Sequence, residues 1–171
     1  MKTLNQLTEA SKDDLPSIYC DMDEVLVALL DGAKQVLGKS MTEVEKTERW
    51  NIISKIKTFW ESLKWMPGAK RLYDFMSKYN LNILSAYTSR DPNCKGGKLK
   101  WLQKNTKLPR SNIYLVKREQ KQKFAVTNGR PNILVDDYMK NIQEWENKGG
   151  IGIHHTNVSK TINELKRLGF K

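Results

Sequence analysis

Residues 18–26 read IYCDMDEVL, and residues 132–137 read NILVDD. Each is a short apolar run that closes on two acids, Asp21 and Asp23 in the first and Asp136 and Asp137 in the second. Apolar runs without polar alternation suit strands covered on both faces. Three more have this form: LNILSA (81–86), NIYLV (112–116) and IGIH (151–154). Between them, apolar spacing predicts helices over 25–37 (stopping at Gly38), 69–79 (after the Pro67-Gly68 break), 98–105, 138–148 (ended by Gly149-Gly150) and 158–168. Residues 128–131 read as a turn, and the charged, Trp-bearing stretch 41–65 as helical. Alternating strands and helices predict an α/β fold, a three-layer Rossmann-like parallel sheet with right-handed crossovers. Residues 38–66 interrupt the alternation and are too short for a large cap domain, so they predict a small helical cap inserted after the first strand and helix. Residues 1–16 are then a polar N-terminal extension, and 1–171 a single domain.

Composition agrees with a globular chain: of 171 residues, 39% are hydrophobic and 29% charged. No apolar run approaches the ~20 residues that cross a bilayer, and the start MKTLNQLTEASKDD lacks the apolar stretch of a secretory signal. Cys20 and Cys94 are too few for a disulfide framework or a four-cysteine zinc site. The expectation is a cytoplasmic protein with reduced thiols and no membrane partner. The formal charge is +11, and residues 95–123 hold ten basic residues against one acid, Glu119, a local charge of +9. Such a field attracts phosphates, on nucleotides or on nucleic acid, although a lysine-rich solvated surface has the same composition.

In parallel sheets, sites lie outside the carboxyl ends of the strands. There the sequence places Asp21 and Asp23, Asp136 and Asp137, and, after the second strand, Ser85 with Thr88 beyond. Four converging carboxylates repel, and a divalent cation resolves the conflict. Asp21, Asp23, Asp136 and Asp137 are therefore the candidate metal residues, with Mg²⁺ as cofactor. The same set suits phosphoryl transfer: one carboxylate as nucleophile, a second as acid and base, and a hydroxyl and lysines around the phosphoryl group. Alone, each part is weak, since a DxD triplet arises by chance and an acid pair after a strand can cap a helix. Their order along the chain, each at a strand end or on the following helix, makes chance a poor account.

With these motifs, the chain from about 18 to 155 resembles the haloacid dehalogenase (HAD) phosphatase superfamily, most closely its 5′(3′)-deoxyribonucleotidase branch and phage and bacterial relatives. The resemblance implies a HAD-like fold with Asp21 as nucleophile and Asp23 as acid/base. It places Ser85 (with Thr88 as fallback) and Lys98, in KGGKLKWL, at phosphate-binding positions. In VKREQK it implies Lys121 as the second lysine, with Lys117 and Lys123 as competitors. FWESLKWMPGA resembles the segment joining the cap to the next core helix, which implies Phe59 and Trp60 as substrate or base contacts. Mg²⁺ would be held by Asp21, the backbone carbonyl of Asp23 and an Asp of the 136/137 pair. The chain departs from the family pattern at Glu24, where Gly is usual, and at Ala28 and Leu29, where Asp-Phe is usual.

These features predict a Mg²⁺-dependent phosphomonoesterase, a nucleotidase acting on (deoxy)nucleoside monophosphates through an aspartyl-phosphate. A polynucleotide end phosphatase is the enzymatic alternative, since one nucleotide does not need ten basic residues. A non-catalytic nucleic-acid-binding HAD scaffold is the alternative from another class. His154 and His155 are adjacent on a strand, so they face opposite sides and do not make a joint metal site.

Overall fold

The computed structural model describes residues 12–171. The expected extension 1–16 therefore lies largely outside the described residues, of which Lys12–Asp14 form one 3₁₀ turn. The central strand β1 (Ile18–Cys20) is wholly buried. It pairs in parallel with β2 (Leu81–Ala86) on one side, Cys20 opposite Ile83, and with β6 (Ile133–Asp136) on the other, Cys20 opposite Val135. β3 (Ile113–Val116) adds outside β2 and β7 (Ile151–His154) outside β6, giving the order β3-β2-β1-β6-β7. All pairings in this sheet are parallel, as the unalternated apolar runs required.

Alternate strand residues feed two cores. Ile18, Cys20, Ile83 and Val135 join α3 (Ala69–Met76), α4 (Cys94–Asn105) and α6 (Val158–Arg167) through Leu72, Trp101 and Leu165. Tyr19, Leu84 and Leu134 face the other way, onto Ile142 and Trp145 of α5 (Met139–Asn147). The result is a three-layer α/β fold. A short antiparallel hairpin, β4 (Val126–Thr127) with β5 (Arg130–Pro131), flanks the turn expected at 128–131.

The first helix starts later than its apolar spacing predicts. α1 spans Leu29–Leu37 and ends at Gly38, whose positive φ of 74° closes the helix. Val25, Leu26 and Val27 instead turn back, and all three donate their N–H groups to the carbonyl of Met22. Their periodicity comes from burial in a tight turn, not from a helix.

Residues 41–65 are also less helical than expected. They form a 3₁₀ turn (Met41–Glu43), α2 (Lys46–Ile53) and a second 3₁₀ turn (Trp60–Ser62). This insert packs with α1 in a separate cluster of Ala33, Met41, Ile53, Phe59, Trp60 and Cys94. It leaves and returns side by side: Ala28 N–H donates to Lys64 O at 2.9 Å, and Met66 N–H to Leu26 O at 2.8 Å.

The insert is pressed against α4 at Gly97. A Cβ there would sit 2.5 Å from Trp60 Cβ and 3.5 Å from the backbone N of Glu61. Neither is the free end of a flexible chain, so Gly97→Ala forces the insert away from α4. The expected cost is about 1–3 kcal/mol, read as a lowered Tm; an unchanged Tm would mean that this contact gives way freely.

Candidate active site

The fold brings the ends of β1, β2 and β6 together. Asp21 follows β1 and is 7% exposed, with Oδ1 accepting the Met22 N–H at 2.8 Å. Met22 is buried in the core, and the turn after it sends Asp23 back toward the site. Asp136 ends β6 at 0% exposure. Its Oδ1 accepts the Tyr138 N–H at 2.9 Å, and its Oδ2 accepts Asn141 Nδ2 at 3.0 Å. Oxygens of Asp21, Asp136 and Asp137 all lie within 4.8 Å of one another.

Two buried lysines enter this acidic group from different directions. Lys121 comes from the 3₁₀ turn Arg118–Phe124. Its Nζ is 3.1 Å from Asp21 Oδ1 and 2.8 Å from Asp136 Oδ2. The turn is anchored by an aromatic group in which the Phe124 ring lies 4.9 Å from Tyr114 and 5.7 Å from Tyr19. Arg118 ties the turn to α5 through Glu144 at 2.9 Å and Asn141 at 3.0 Å. Burial opposes the Lys121 charge, yet Asp21 and Asp136 outweigh it and raise its pKa, so the ammonium stays charged. Of its two competitors, Lys123 is exposed and Lys117 lies over the Tyr87 ring.

Lys98 comes from α4, one turn inside the helix. Its Nζ donates to Asp23 Oδ2 at 2.6 Å, Ser85 Oγ at 3.0 Å and the Ala86 carbonyl at 2.7 Å. The structure thus joins Ser85 to Lys98 and Asp23. Thr88, the alternative hydroxyl, accepts the Arg90 N–H at 3.2 Å as a turn residue. Asp23 Oδ1 is buried with no hydrogen-bond partner, and burial raises the Asp23 pKa despite Lys98.

Phe59 and Trp60 are 4% and 2% exposed. They meet edge to face at 5.3 Å, with Trp50 stacked 5.9 Å from Trp60. The stacking surface expected from them is closed in this structure, because both rings pack in the cluster between the insert, α1 and α4. Trp60 still borders the site: the Lys98 ammonium lies 5.3 Å from its ring centroid. Its Nε1 donates to Asp91 Oδ2 at 2.7 Å.

Sequence reasoning missed Asp91, which ties the insert to the loop before α4, and Asn141, which joins Asp136 to Arg118. A polar residue beside Ile142 on the buried stripe of α5 was the available signal for Asn141. Glu24 takes the Gly position of the resemblance with φ of 61°, a left-handed conformation costing a side chain about 1–2 kcal/mol. Its Oε1 accepts the Leu30 N–H at 2.7 Å, so it caps α1 in return. His154 and His155 diverge as expected, His154 to the Asp137 carbonyl and His155 to Thr161 Oγ1. Cys20 and Cys94 are both free and buried, and burial pushes the Cys94 thiol up to about 11.

Four carboxylates (Asp21, Asp23, Asp136, Asp137) against two ammonium groups (Lys98, Lys121) leave a formal charge of −2. An all-oxygen donor set with that deficit fits a hard divalent cation such as Mg²⁺. The carboxyl pKa values record the same conflict. Asp137 is pushed up to about 7, first by burial and then by Asp21 and Asp136, and Asp136 is raised for similar reasons.

A carboxyl raised in the folded state holds its proton there after the unfolded chain has lost it. Without divalent ions, stability is therefore expected to fall as pH rises from about 4 toward 7, the window between the ordinary value of 3.8 and the Asp137 value of about 7. Mg²⁺ should flatten that slope, measured as Tm against pH with and without a chelator. A flat profile in chelator would mean that the acids do not repel.

No family model and no curated protein matches this chain. Solved structures do. A hydrolase from Streptococcus pneumoniae TIGR4 superposes with a TM-score of 0.56 at 11% identity, covering 89% of this chain and 98% of that one. A protein described as a dehalogenase gives 0.54 at 12% identity, covering 93% and 99%. The L-2-haloacid dehalogenase from Xanthobacter autotrophicus gives 0.52 at 11% identity, covering 90% and 83%. The chain has the haloacid dehalogenase-like fold. In this HAD-like fold Asp21 directly follows the central strand β1, at its carboxyl end. Among the described residues, no helix is long and apolar enough to cross a membrane.

Proposed function

We propose that this chain is a Mg²⁺-dependent phosphomonoesterase that acts on nucleoside monophosphates through an aspartyl-phosphate on Asp21. The observation that carries the reading is the Asp21 carboxylate set between Lys121, at 3.1 Å, and the oxygens of Asp136 and Asp137 within 4.8 Å. The nucleotide part rests on the sequence resemblance to 5′(3′)-deoxyribonucleotidases.

Asp21, Asp137 or Asp136, and the Asp23 carbonyl would hold the ion. Asp136 already accepts Lys121, Asn141 and the Tyr138 N–H, which leaves Asp137 the freer ligand. When bound, Mg²⁺ supplies charge neutralisation for the phosphate oxygens. Asp21 Oδ1 is held by the Met22 N–H and Lys121, so Oδ2 is the oxygen placed to attack phosphorus. As the new P–O bond forms, the ester P–O bond breaks. The leaving oxygen takes the proton of Asp23, whose raised pKa keeps that proton available nearer neutrality. Asp23 then accepts a proton from water, the water oxygen attacks phosphorus, and Asp21 departs with release of phosphate. Ser85 and Lys121 offer donors to the phosphoryl oxygens as charge shifts onto them, and the Lys98 ammonium, its three N–H groups on Asp23, Ser85 and the Ala86 carbonyl, adds positive charge beside them.

The test is release of inorganic phosphate from deoxynucleoside and ribonucleoside monophosphates with Mg²⁺ or with chelator, beside chloride release from 2-haloacids. Release that needs Mg²⁺ is the expected result. Chloride release, or no hydrolysis of any phosphomonoester with Mg²⁺ present, would overturn the reading.

A further inference from the structure

Lys95 and Lys117 both reach the ring of Tyr87. Lys95 lies in the first turn of α4, with Nζ 5.0 Å from the centroid of Tyr87. Lys117 follows β3, with Nζ 4.6 Å from the same centroid. Tyr87 is the first residue past β2, and its N–H donates to Val116 O at 3.1 Å. Its chain neighbour Ala86 gives the carbonyl that accepts Lys98. The three residues therefore stand on the carboxyl edge of the sheet, next to Ser85 and Lys98.

Two ammonium groups drawn to one ring repel each other. Among the described residues, neither has a carboxylate within ion-pair distance. The quadrupole of one tyrosine is a weak partner for two cations; an anion beside them is a strong one.

Most of the other cations of the basic stretch 95–123 have partners or places of their own, among them Lys100, which pairs with Glu61. Lys98 and Lys121 are buried in the acidic site, and Arg118 pairs with Glu144. Lys104 and Lys107 line a cleft with Asn80, Leu81 and Asn112, at the opposite end of the sheet. The pair on Tyr87 is thus a distinct feature rather than part of a uniform basic coat.

We propose that Lys95, Lys117 and Tyr87 form a second anion subsite that takes a phosphate of the substrate other than the one hydrolysed. For the reacting phosphate this rests on the phosphomonoesterase reading. The chemistry is that of a phosphodiester beside a phosphorylated end of single-stranded nucleic acid, or of the second phosphate of a nucleoside bisphosphate. A nucleobase next to that phosphate would find the tyrosine ring beside it.

Two measurements test the subsite. In the first, the Asp21→Asn protein, with or without Lys95→Ala and Lys117→Ala, is titrated with a fluorescent, end-phosphorylated single-stranded oligonucleotide at several KCl concentrations. Removing both lysines should weaken binding at least about tenfold at low salt. It should also lower the slope of log K against log salt by about 0.7, the value for one phosphate contact on a single strand. In the second, the ratio of kcat/KM for the oligonucleotide, or for a nucleoside 3′,5′-bisphosphate, to that for a nucleoside monophosphate should fall at least about tenfold. Loss with both substrates supports the subsite, and loss with one assigns it to polymer ends or to small bisphosphates. Unchanged binding together with unchanged ratios overturns it. If lysine-dependent binding persists but no substrate is hydrolysed, the phosphatase reading fails and the anion subsite stands.

Discussion

Asp21→Asn is expected to abolish phosphate release, with a loss of roughly 10⁴-fold or more, while the protein stays folded. The amide can still accept the Met22 N–H that orients this side chain. It cannot supply the anionic oxygen that bonds to phosphorus, so the acyl-phosphate never forms. Stability should move the other way from activity. Asp21 is a repulsive neighbour of Asp136 and Asp137 and raises both of their pKa values. In chelator the variant should therefore melt no lower than the wild type, even though Lys121 loses one of its two partners. Turnover near the wild-type level would remove Asp21 from the nucleophile role. Asp23→Asn should separate the two acids: it should slow alkyl phosphates far more than p-nitrophenyl phosphate, whose leaving group needs no proton. Equal losses on both would place Asp23 outside acid catalysis.

Lys121→Ala carries the second large effect, and on stability as well as activity. Its ammonium is the cation between two buried carboxylates, at 3.1 and 2.8 Å. Removing one partner of such a group leaves buried charge uncompensated, which costs about 3–5 kcal/mol. Lys123, two residues on, is exposed, and Lys123→Ala should lie within about 0.5 kcal/mol of the wild type. Phosphate release should follow the same order, with Lys121→Ala far below Lys123→Ala. Mg²⁺ should recover part of the lost Tm, because a dication offsets the same carboxylates, but not the lost activity. The reverse order between the two variants would place the functional lysine elsewhere on this turn.

The sheet was legible because its strands are short apolar runs, and each ends where the chemistry begins. IYCD and NILVDD needed no helix to explain them, and parallel pairing on either side of β1 follows from burial of both faces. Positions where two local structures compete, or where contacts distant in sequence decide, were not legible. Val25, Leu26 and Val27 have the spacing of a helix, but one carbonyl gathers all three of their N–H groups, and a turn competes with a helix on equal apolar terms. The tryptophans of the insert advertise contact area without saying with what. Trp60 spends its ring on Phe59 and Trp50 and its N–H on Asp91, 31 residues away. The basic stretch shows its charge in the sequence, but only the fold separates two buried lysines from two that reach Tyr87.

Because β1 is the middle strand, the first part of the sheet to be synthesised depends on the last parts to be made. Ile18–Cys20 gains its second neighbour only when Ile133–Val135 exists, and Asp21 meets its acidic companions only once Asp137 has been translated. A chain halted in the hairpin before β6 holds Asp21 without Asp136 or Asp137. Prematurely terminated copies would show proteases and chaperones the bare backbone edge that β6 covers in the finished molecule.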